Sequence, residues 1–315
     1  MSLITLNDGK ALFRPVMVLG RFDGMHAAHR ALVSLAVRCA ADAGNAPVCL
    51  WTFSGDSGLP HGRLTTDTER IGLFREAGAD FAVFEDFESF RNMEGESFIK
   101  EYLIPAYSPS AIVCGFNFTF GRGASCGSED LRRFSAEAGV GCFVENEIRV
   151  ADETVSSTRI RSLIKDGNIS LANTLLGHPF SVTSEVTEGK HIGRSIGTRT
   201  INQRFPESKI IPRYGVYCCT VEFPDGSVRR GVCNIGVRPT FGTDPGDVTL
   251  ETHVFGFRRK AYGTTVRTRL YGFLREERKF GSYEELRAQI GHDRSCAIKT
   301  LKKYEWQRDA AGNGI

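Results

Sequence analysis

The sequence predicts an α/β domain built on a parallel sheet, followed by an antiparallel β-barrel domain with a terminal helix. Three observations carry this. The chain has 315 residues, enough for two separate cores. From residue 15 to about 147, apolar strand-like runs alternate with helical stretches, the pattern of a sheet covered by helices. After Gly177-His178-Pro179 short alternating runs take over, as in an antiparallel sheet or barrel. The domains are therefore placed at 1–178 and 179–315.

In order along the first domain, strands are predicted at Val16–Leu19, Val48–Phe53, Phe81–Phe84, Ala111–Cys114 and Gly141–Val144. A helix begins near Ala27, with Leu32, Leu35, Ala36, Cys39, Ala40 and Ala43 at helical spacing. Thr66 and Glu69 form a capping box ahead of Ile71, Leu73 and Phe74, and Gly78 ends that helix. Two short helices follow, Ser156–Lys165 and Ile169–Leu176, separated by Asp166-Gly167-Asn168. The second domain's strand-like runs are Phe180–Thr187, Gly215–Phe223, Val228–Ile235, Val248–Phe255 and Thr264–Phe273, with a Pro-Asp-Gly turn at 224–226. A terminal helix from Ser282 is amphipathic through Leu286, Ile290 and Ala297, and Ala310–Ile315 reads as a frayed tail.

Composition excludes several classes. Hydrophobic residues make up 41% and charged residues 24%, ordinary for a globular protein, and no apolar stretch approaches the roughly 20 residues of a membrane span. Residues 1–10 are polar and mixed, so no secretory leader is expected. A net charge of +3 gives no argument for nucleic acid. The nine cysteines are odd in number, scattered, and mostly inside apolar runs, which fits reduced thiols in a cytoplasmic protein rather than zinc or redox motifs.

Three segments of the first domain can handle a nucleotide. In Gly20-Arg21-Phe22-Asp23-Gly24-Met25-His26-Ala27-Ala28-His29 two glycines loosen a strand-to-helix turn, and His26 and His29 share the first helical turn, where free N–H groups attract anions. Gly115 to Gly123 sets Asn117 among Phe116, Phe118 and Phe120, ahead of Gly121, and can cradle a planar ring. Ser156, Ser157 and Thr158 offer hydroxyls at a helix start, and Arg161 adds charge one turn on. Both loops lie beyond the carboxyl ends of strands, where open parallel sheets bind ligands.

In the second domain, Gly189 to Gly197 is a glycine-spaced loop, including Gly193, that suits backbone contacts to phosphate. Thr200 and Asn202 offer oxygens to a hard cation. In a strand reading, Glu251, His253 and Phe255 share one face, opposite Leu250, Thr252 and Val254.

These strings, in this order, resemble the prokaryotic bifunctional riboflavin kinase/FAD synthetases from about Val16 to Asp293. Gly20–His29 resembles the family's Gly-x-Phe-Asp-Gly-x-His-x-Gly-His signature, with Arg21 in place of the usual Asn and Ala28 in place of the glycine between the histidines. Gly115–Gly121 resembles Gly-x-Asp/Asn-Phe-x-Phe-Gly, and Val155–Arg161 resembles Ile-Ser-Ser-Thr-x-Ile-Arg. Thr52 and Phe53 match the start of Thr-Phe-x-Pro-His-Pro, but Pro-His-Pro is absent and only His61 follows, displaced. In the barrel Gly197, Thr200 and Asn202 match Gly-Phe-Pro-Thr-Ala-Asn, with Arg199 for proline and Ile201 for alanine. Tyr214–Tyr217, Asn234–Phe241, Leu250–His253 and Leu274–Phe280 are also similar to the family, the last to Leu-Arg-x-Glu-x-x-Phe.

The resemblance implies a Rossmann-like nucleotidyltransferase domain and a riboflavin kinase barrel, with riboflavin, FMN, FAD and ATP as substrates and products and Mg²⁺ as the metal. It implies Glu251 as the base on the flavin ribityl hydroxyl, Thr200 and Asn202 at the metal, and Arg275 with Phe280 closing the flavin site. In the first domain it implies His26, His29, Asn117 and Arg161 at the triphosphate, with Gly20, Phe22, Asp23, Gly24, Phe120, Gly121, Ser156, Ser157 and Thr158 around the nucleotide. Two alternatives stay open on the sequence: a riboflavin kinase whose first domain has lost or changed its chemistry, and a non-catalytic flavin-nucleotide sensor.

Overall fold

The computed structural model describes residues 2–6, 11–55, 62–188, 200–237, 248–257 and 259–310. It divides into two compact units, Met1–Arg159 and Ile160–Ile315. The change of sequence texture at 177–179 lies beyond this divide. The expected tail after Ala310, the glycine loop with Gly193 and Gly197, and His61 fall outside the described residues.

In the first unit six strands form one sheet: β1 (Ser2–Thr5), β2 (Val16–Leu19), β3 (Val48–Phe53), β4 (Phe81–Glu85), β5 (Ala111–Gly115) and β6 (Gly141–Glu145), in spatial order β1-β4-β3-β2-β5-β6. All pairs are parallel except β1–β4. Strands β2 to β5 are buried on both faces, which is why they read as unbroken apolar runs. On one face Val16, Val18, Leu50, Ala82 and Val113 pack with α1 (Ala27–Asp42) and α2 (Asp67–Glu76). On the other, Met17, Leu19, Trp51, Val83 and Ile112 pack with a helical segment at 95–107 and with α3 (Ser128–Glu137). Each fully buried side chain of this size contributes about 1.5–3 kcal/mol.

The strand order determines where a ligand can sit. The chain runs outward from β2 to β3 and β4, then returns to place β5 on the other side of β2. The connections leaving β2 and β5 therefore diverge to opposite sides and open a crevice between them. A small hairpin of β7 (Arg149–Val150) and β8 (Glu153–Thr154) then leads into α4 (Ser157–Lys165).

In the second unit β9 (Ser181–Thr187), β10 (Thr200–Arg204), β11 (Gly215–Glu222), β12 (Val228–Val237), β13 (Val248–Val254) and β14 (Thr265–Arg275) close into an antiparallel barrel, in order β10-β13-β12-β11-β14-β9. Alternation sets its two faces: Leu250, Thr252 and Val254 are buried while Glu251 is exposed. Buried Gln203 links three strands, donating to Ser184 O and Val266 O and accepting from Thr268 Oγ1. Helix α5 (Ile169–Leu176) is fixed to β14 through Asn173, which donates to Leu270 O and accepts from Phe180 N, both at 2.8 Å. Terminal helix α6 (Tyr283–Ala310) lays Ala297 and Leu301 against Cys218, Val232 and Phe255 on the outside of the barrel.

Candidate functional site

At the crevice between β2 and β5 lies a cavity of about 640 Å³. Its wall includes Gly20, Arg21, His26, Ala28 and His29 from the first loop, Asn117, Phe120 and Gly121 from the second, and Ser156, Ser157 and Thr158 from the start of α4. The structure thus brings together three segments that lie far apart in sequence. Two helix N-termini, those of α1 and α4, open onto this one space. Their unsatisfied N–H groups and aligned peptide dipoles favour an anion there.

The first loop is shaped by its unusual backbone. Phe22, Gly24 and Met25 all have positive φ, at 49°, 85° and 41°. Two of the three are non-glycine residues, so surrounding contacts must hold the conformation. The Asp23 carboxylate does this, accepting from the N–H groups of Leu64 and Thr65 at 3.0 and 3.1 Å and from Thr65 Oγ1 at 3.2 Å. Phe22 is fully buried, its ring edge-on to His29 and Phe74. Gly20 is required beneath it, because a Cβ there would approach the Phe22 ring to 3.0 Å. Phe22, Asp23 and Gly24, expected at the nucleotide, therefore lie under the loop rather than on the cavity wall, and hold it in shape.

A residue that sequence reasoning missed clamps the same loop. Arg70, on α2, is 2% exposed. Its guanidinium donates to Arg21 O at 2.9 Å, Thr52 Oγ1 at 3.1 Å and Phe53 O at 2.8 Å, lies 4.9 Å from the Phe84 ring centre, and pairs with Asp67. Thr52 Oγ1 also donates to Arg21 O at 3.1 Å. Burial alone would raise the Asp67 carboxyl, but Arg63 and Arg70 outweigh it and hold Asp67 below the usual carboxylate range. The helical stretch around Arg70 was legible, but contacts spanning 49 residues left no local signal.

His26 is the N-cap of α1, and its Nδ1 accepts from the backbone N–H of His29 at 3.4 Å. The two rings stack with centroids 3.6 Å apart and planes 13° from parallel. Burial, then the neighbouring His26 and Arg70, push the His29 imidazole well below its ordinary pKa. His29 Nδ1 is buried and has no hydrogen-bond partner. His29 is thus neutral at physiological pH and acts as a dipolar group rather than a cation.

The second loop turns tightly, Phe118 N–H donating to Gly115 O at 3.0 Å. Phe118 and Phe120 stack 5.6 Å apart, and Phe120 pairs with Cys126 through two backbone bonds. Gly121, at φ 79°, passes so close to Gly95 that a Cβ would stand 2.9 Å from its nitrogen. In the third segment Ser156 Oγ accepts from Arg159 N–H at 3.2 Å, capping α4, and Ser157 Oγ donates to Asp23 O at 3.0 Å. That second bond ties the third segment to the first. Thr158 completes this stretch of wall, whereas Arg161 lies in the second unit.

On the outer face of the barrel, Asn202, Glu251 and Asn234 stand side by side as register partners on β10, β13 and β12. Thr200 Oγ1 donates to Glu251 Oε1 at 2.8 Å. Beside them Asn234 Nδ2 donates to Glu277 Oε1 at 2.6 Å. Arg275 serves the framework: its guanidinium engages Asp293 of α6 at 2.8–3.1 Å and lies 5.7 Å from the Phe280 ring centre. The hydroxyl, amide and carboxylate oxygens of Thr200, Asn202 and Glu251 are the donor chemistry of a hard divalent cation. Among the described residues no group of three or more His, Cys, Asp or Glu side chains is placed to hold a metal ion.

Known proteins are similar to this chain along both units. Residues 10–159 match the family model for FAD synthetase, and residues 176–301 match that for riboflavin kinase. The bifunctional riboflavin kinase/FMN adenylyltransferase of Bacillus subtilis is 32% identical over 295 residues, covering 91% of this chain and 92% of that protein. The protein of the same description from Escherichia coli K12 is 30% identical over 289 residues, covering 90% and 91%. A crystal structure described as a macrolide-efflux protein from Streptococcus pneumoniae shares the fold, with a TM-score of 0.83 and 28% identity over 93% of this chain and 97% of that one. Among the described residues no helix is long and apolar enough to cross a membrane. With a cavity at the crevice of one unit, an oxygen-lined barrel face in the other and relatives that match along both, the chain belongs to the family of bifunctional enzymes that convert riboflavin to FMN and FMN to FAD.

Proposed function

We propose that the first unit adenylylates FMN in the crevice cavity and that the barrel phosphorylates riboflavin beside Glu251. Convergence of the α1 and α4 N-termini on one cavity supports the first assignment most strongly. An FMN phosphate oxygen attacks the α-phosphorus of ATP. A new P–O bond forms, the bond to the bridging oxygen breaks, and pyrophosphate leaves with the electron pair. His26, His29 and Asn117 hold the triphosphate, and the helical N–H groups meet the charge that grows on the leaving group. The resemblance assigns Arg161 to the same task. No enzyme group forms a covalent bond, and positioning supplies most of the acceleration.

In the barrel, Glu251 takes the proton of the riboflavin 5′-hydroxyl as the hydroxyl oxygen attacks the γ-phosphorus of ATP; the bond from that phosphorus to the β,γ-bridging oxygen breaks, and ADP leaves with the electron pair. The Thr200 hydroxyl, bonded to Glu251, orients that carboxylate. Thr200 and Asn202 would hold Mg²⁺, which when bound neutralises phosphate charge. The glycine loop with Gly193 and Gly197 is assigned to the phosphates. Residues 1–178 and 179–315 are the functional halves in this reading. Nine free cysteines favour a reducing compartment, the cytoplasm.

Purified protein incubated with FMN, ATP and Mg²⁺ is expected to yield FAD and pyrophosphate. His29→Ala is expected to slow this by about 100-fold, the usual effect of losing one donor to developing charge. No FAD from the wild type would leave a riboflavin kinase with an altered first unit.

A further inference from the structure

The part of the cavity wall at the carboxyl end of edge strand β6 is built differently from the helix N-termini. Phe116 and Glu145 both line it. Glu145 ends β6 as the register partner of Gly115 on β5, so Phe116 follows directly beside it. The Phe116 backbone is held from two sides: its N–H donates to Glu145 O at 2.9 Å, and its carbonyl accepts from Ser128 Oγ at 3.2 Å. Its ring is nonetheless 47% exposed, a large apolar face left uncovered on a braced backbone. The Glu145 carboxylate is half-buried, accepts from the N–H of Asn146 at 3.2 Å and pairs with no cation among the described residues. A carboxylate in a cavity shaped for anions repels phosphate, so its partner is a neutral donor. An aromatic face with an acceptor at its margin suits a flat ring that carries an N–H group.

Resting on the adenylyl-transfer reading of this cavity, we infer that Phe116 and Glu145 select the nucleobase of ATP: the Phe116 ring stacks on adenine, and the Glu145 carboxylate accepts a hydrogen bond from its 6-amino group. Asn117, assigned in that reading to the triphosphate, follows Phe116 in the chain, so the nucleoside attached to those phosphates lies along this loop. Strand β6 stands two strands, about 10 Å, from β2, a span that ribose and base cross when the phosphates rest at the α1 N-terminus. Guanine and hypoxanthine carry a 6-oxo group instead. Against Glu145 that group sets acceptor against acceptor and leaves both without a donor. Glu145, which lies outside the family-like strings, is thereby the residue that confines the reaction to an aminopurine.

The test is dinucleotide formation from FMN with ATP or ITP by wild type, Glu145→Gln and Phe116→Leu, with kcat/KM measured for each nucleotide and KM for FMN alongside. Wild type is expected to prefer ATP to ITP by about tenfold or more, the worth of one hydrogen bond to a charged group. A glutamine amide can turn to donate to a 6-oxo group. Glu145→Gln should therefore lose about tenfold in kcat/KM for ATP while its kcat/KM for ITP holds or rises. Phe116→Leu should lose about fivefold or more with both nucleotides, the loss of one stacked ring. KM for FMN should stay within about twofold throughout. An unchanged ATP-to-ITP preference in Glu145→Gln, including an equal loss with both nucleotides such as a structural role would give, overturns the inference while leaving adenylyl transfer intact. A raised KM for FMN at unchanged preference assigns the pair to the isoalloxazine ring and overturns it too. Full activity of Phe116→Leu with both nucleotides removes the stacking. A wild type that forms no FAD removes the parent reading and nucleobase selection with it.

Discussion

At the residue scale, the protonation state of His29 decides how the cavity greets a triphosphate. Its folded-state pKa lies below the unfolded value, because burial, His26 and Arg70 all oppose a second charge. Between that lowered value and about 6.5 the unfolded chain binds a proton that the folded chain does not. Stability contributed here is therefore present above about 6.5 and declines as pH falls toward the folded pKa. Histidine NMR titration is expected to find His29 neutral at pH 6.5, and addition of ATP should raise its pKa, with proton uptake measurable by calorimetry in buffers of different ionisation enthalpy. An ordinary His29 pKa that ATP leaves unmoved would contradict the site. The histidines were legible from their place at a helix start; their stacking and depressed basicity were not, since these depend on burial and on Arg70, 41 residues away in sequence.

At the scale of elements, the strand-to-helix loop is a tensioned part held by α2. Arg70 bonds to backbone oxygens at the ends of both β2 and β3, so Arg70→Met would leave Phe53 O without this donor and take one of two arginines from Asp67, which keeps Arg63. A loss of about 1–3 kcal/mol is expected in chemical denaturation, the cost of leaving a buried acceptor unsatisfied. Gly121→Ala is expected to destabilise the first unit by about 1–3 kcal/mol, since it adds strain at φ 79° to a clash with Gly95. A Gly121→Ala protein with an unchanged denaturation midpoint would show that the second loop moves aside freely. The capping box at Thr66 and Glu69 was readable in sequence because it is local, and the structure forms both of its bonds. Strand β1 was missed because its four residues are mostly exposed on the sheet edge, and β10 because Thr200–Arg204 is short and mixed in polarity. The helical segment at 95–107 includes a π-helical turn, Phe98–Leu103, that no 3.6-residue periodicity reports.

At the scale of the whole molecule, β2 to β5 were legible because double burial leaves mostly apolar residues, and β6 was legible from its apolar run although it is partly exposed. The barrel was legible in five of its strands by alternation, and Glu251 stands on the exposed face that alternation predicts. What sequence could not give was the assembly: that strand order opens the crevice between β2 and β5, that Ser157 bonds to the Asp23 carbonyl, and that Phe22, Asp23 and Gly24 support the loop while His26, His29 and Asn117 face the cavity. These depend on contacts between residues distant in sequence, 41 positions for Asp23 and Leu64 and 134 for Asp23 and Ser157. The central claim is that two chemistries run in two separate sites. Chromatographic separation of FMN from FAD for Glu251→Gln and His29→Ala tests it most directly. Glu251→Gln supplied with riboflavin and ATP should form FMN at least about 100-fold more slowly, the lower end of general-base effects, yet convert added FMN to FAD at the wild-type rate. His29→Ala should accumulate FMN. Normal FMN formation by Glu251→Gln, or loss of FAD formation from FMN in that variant, would contradict the account.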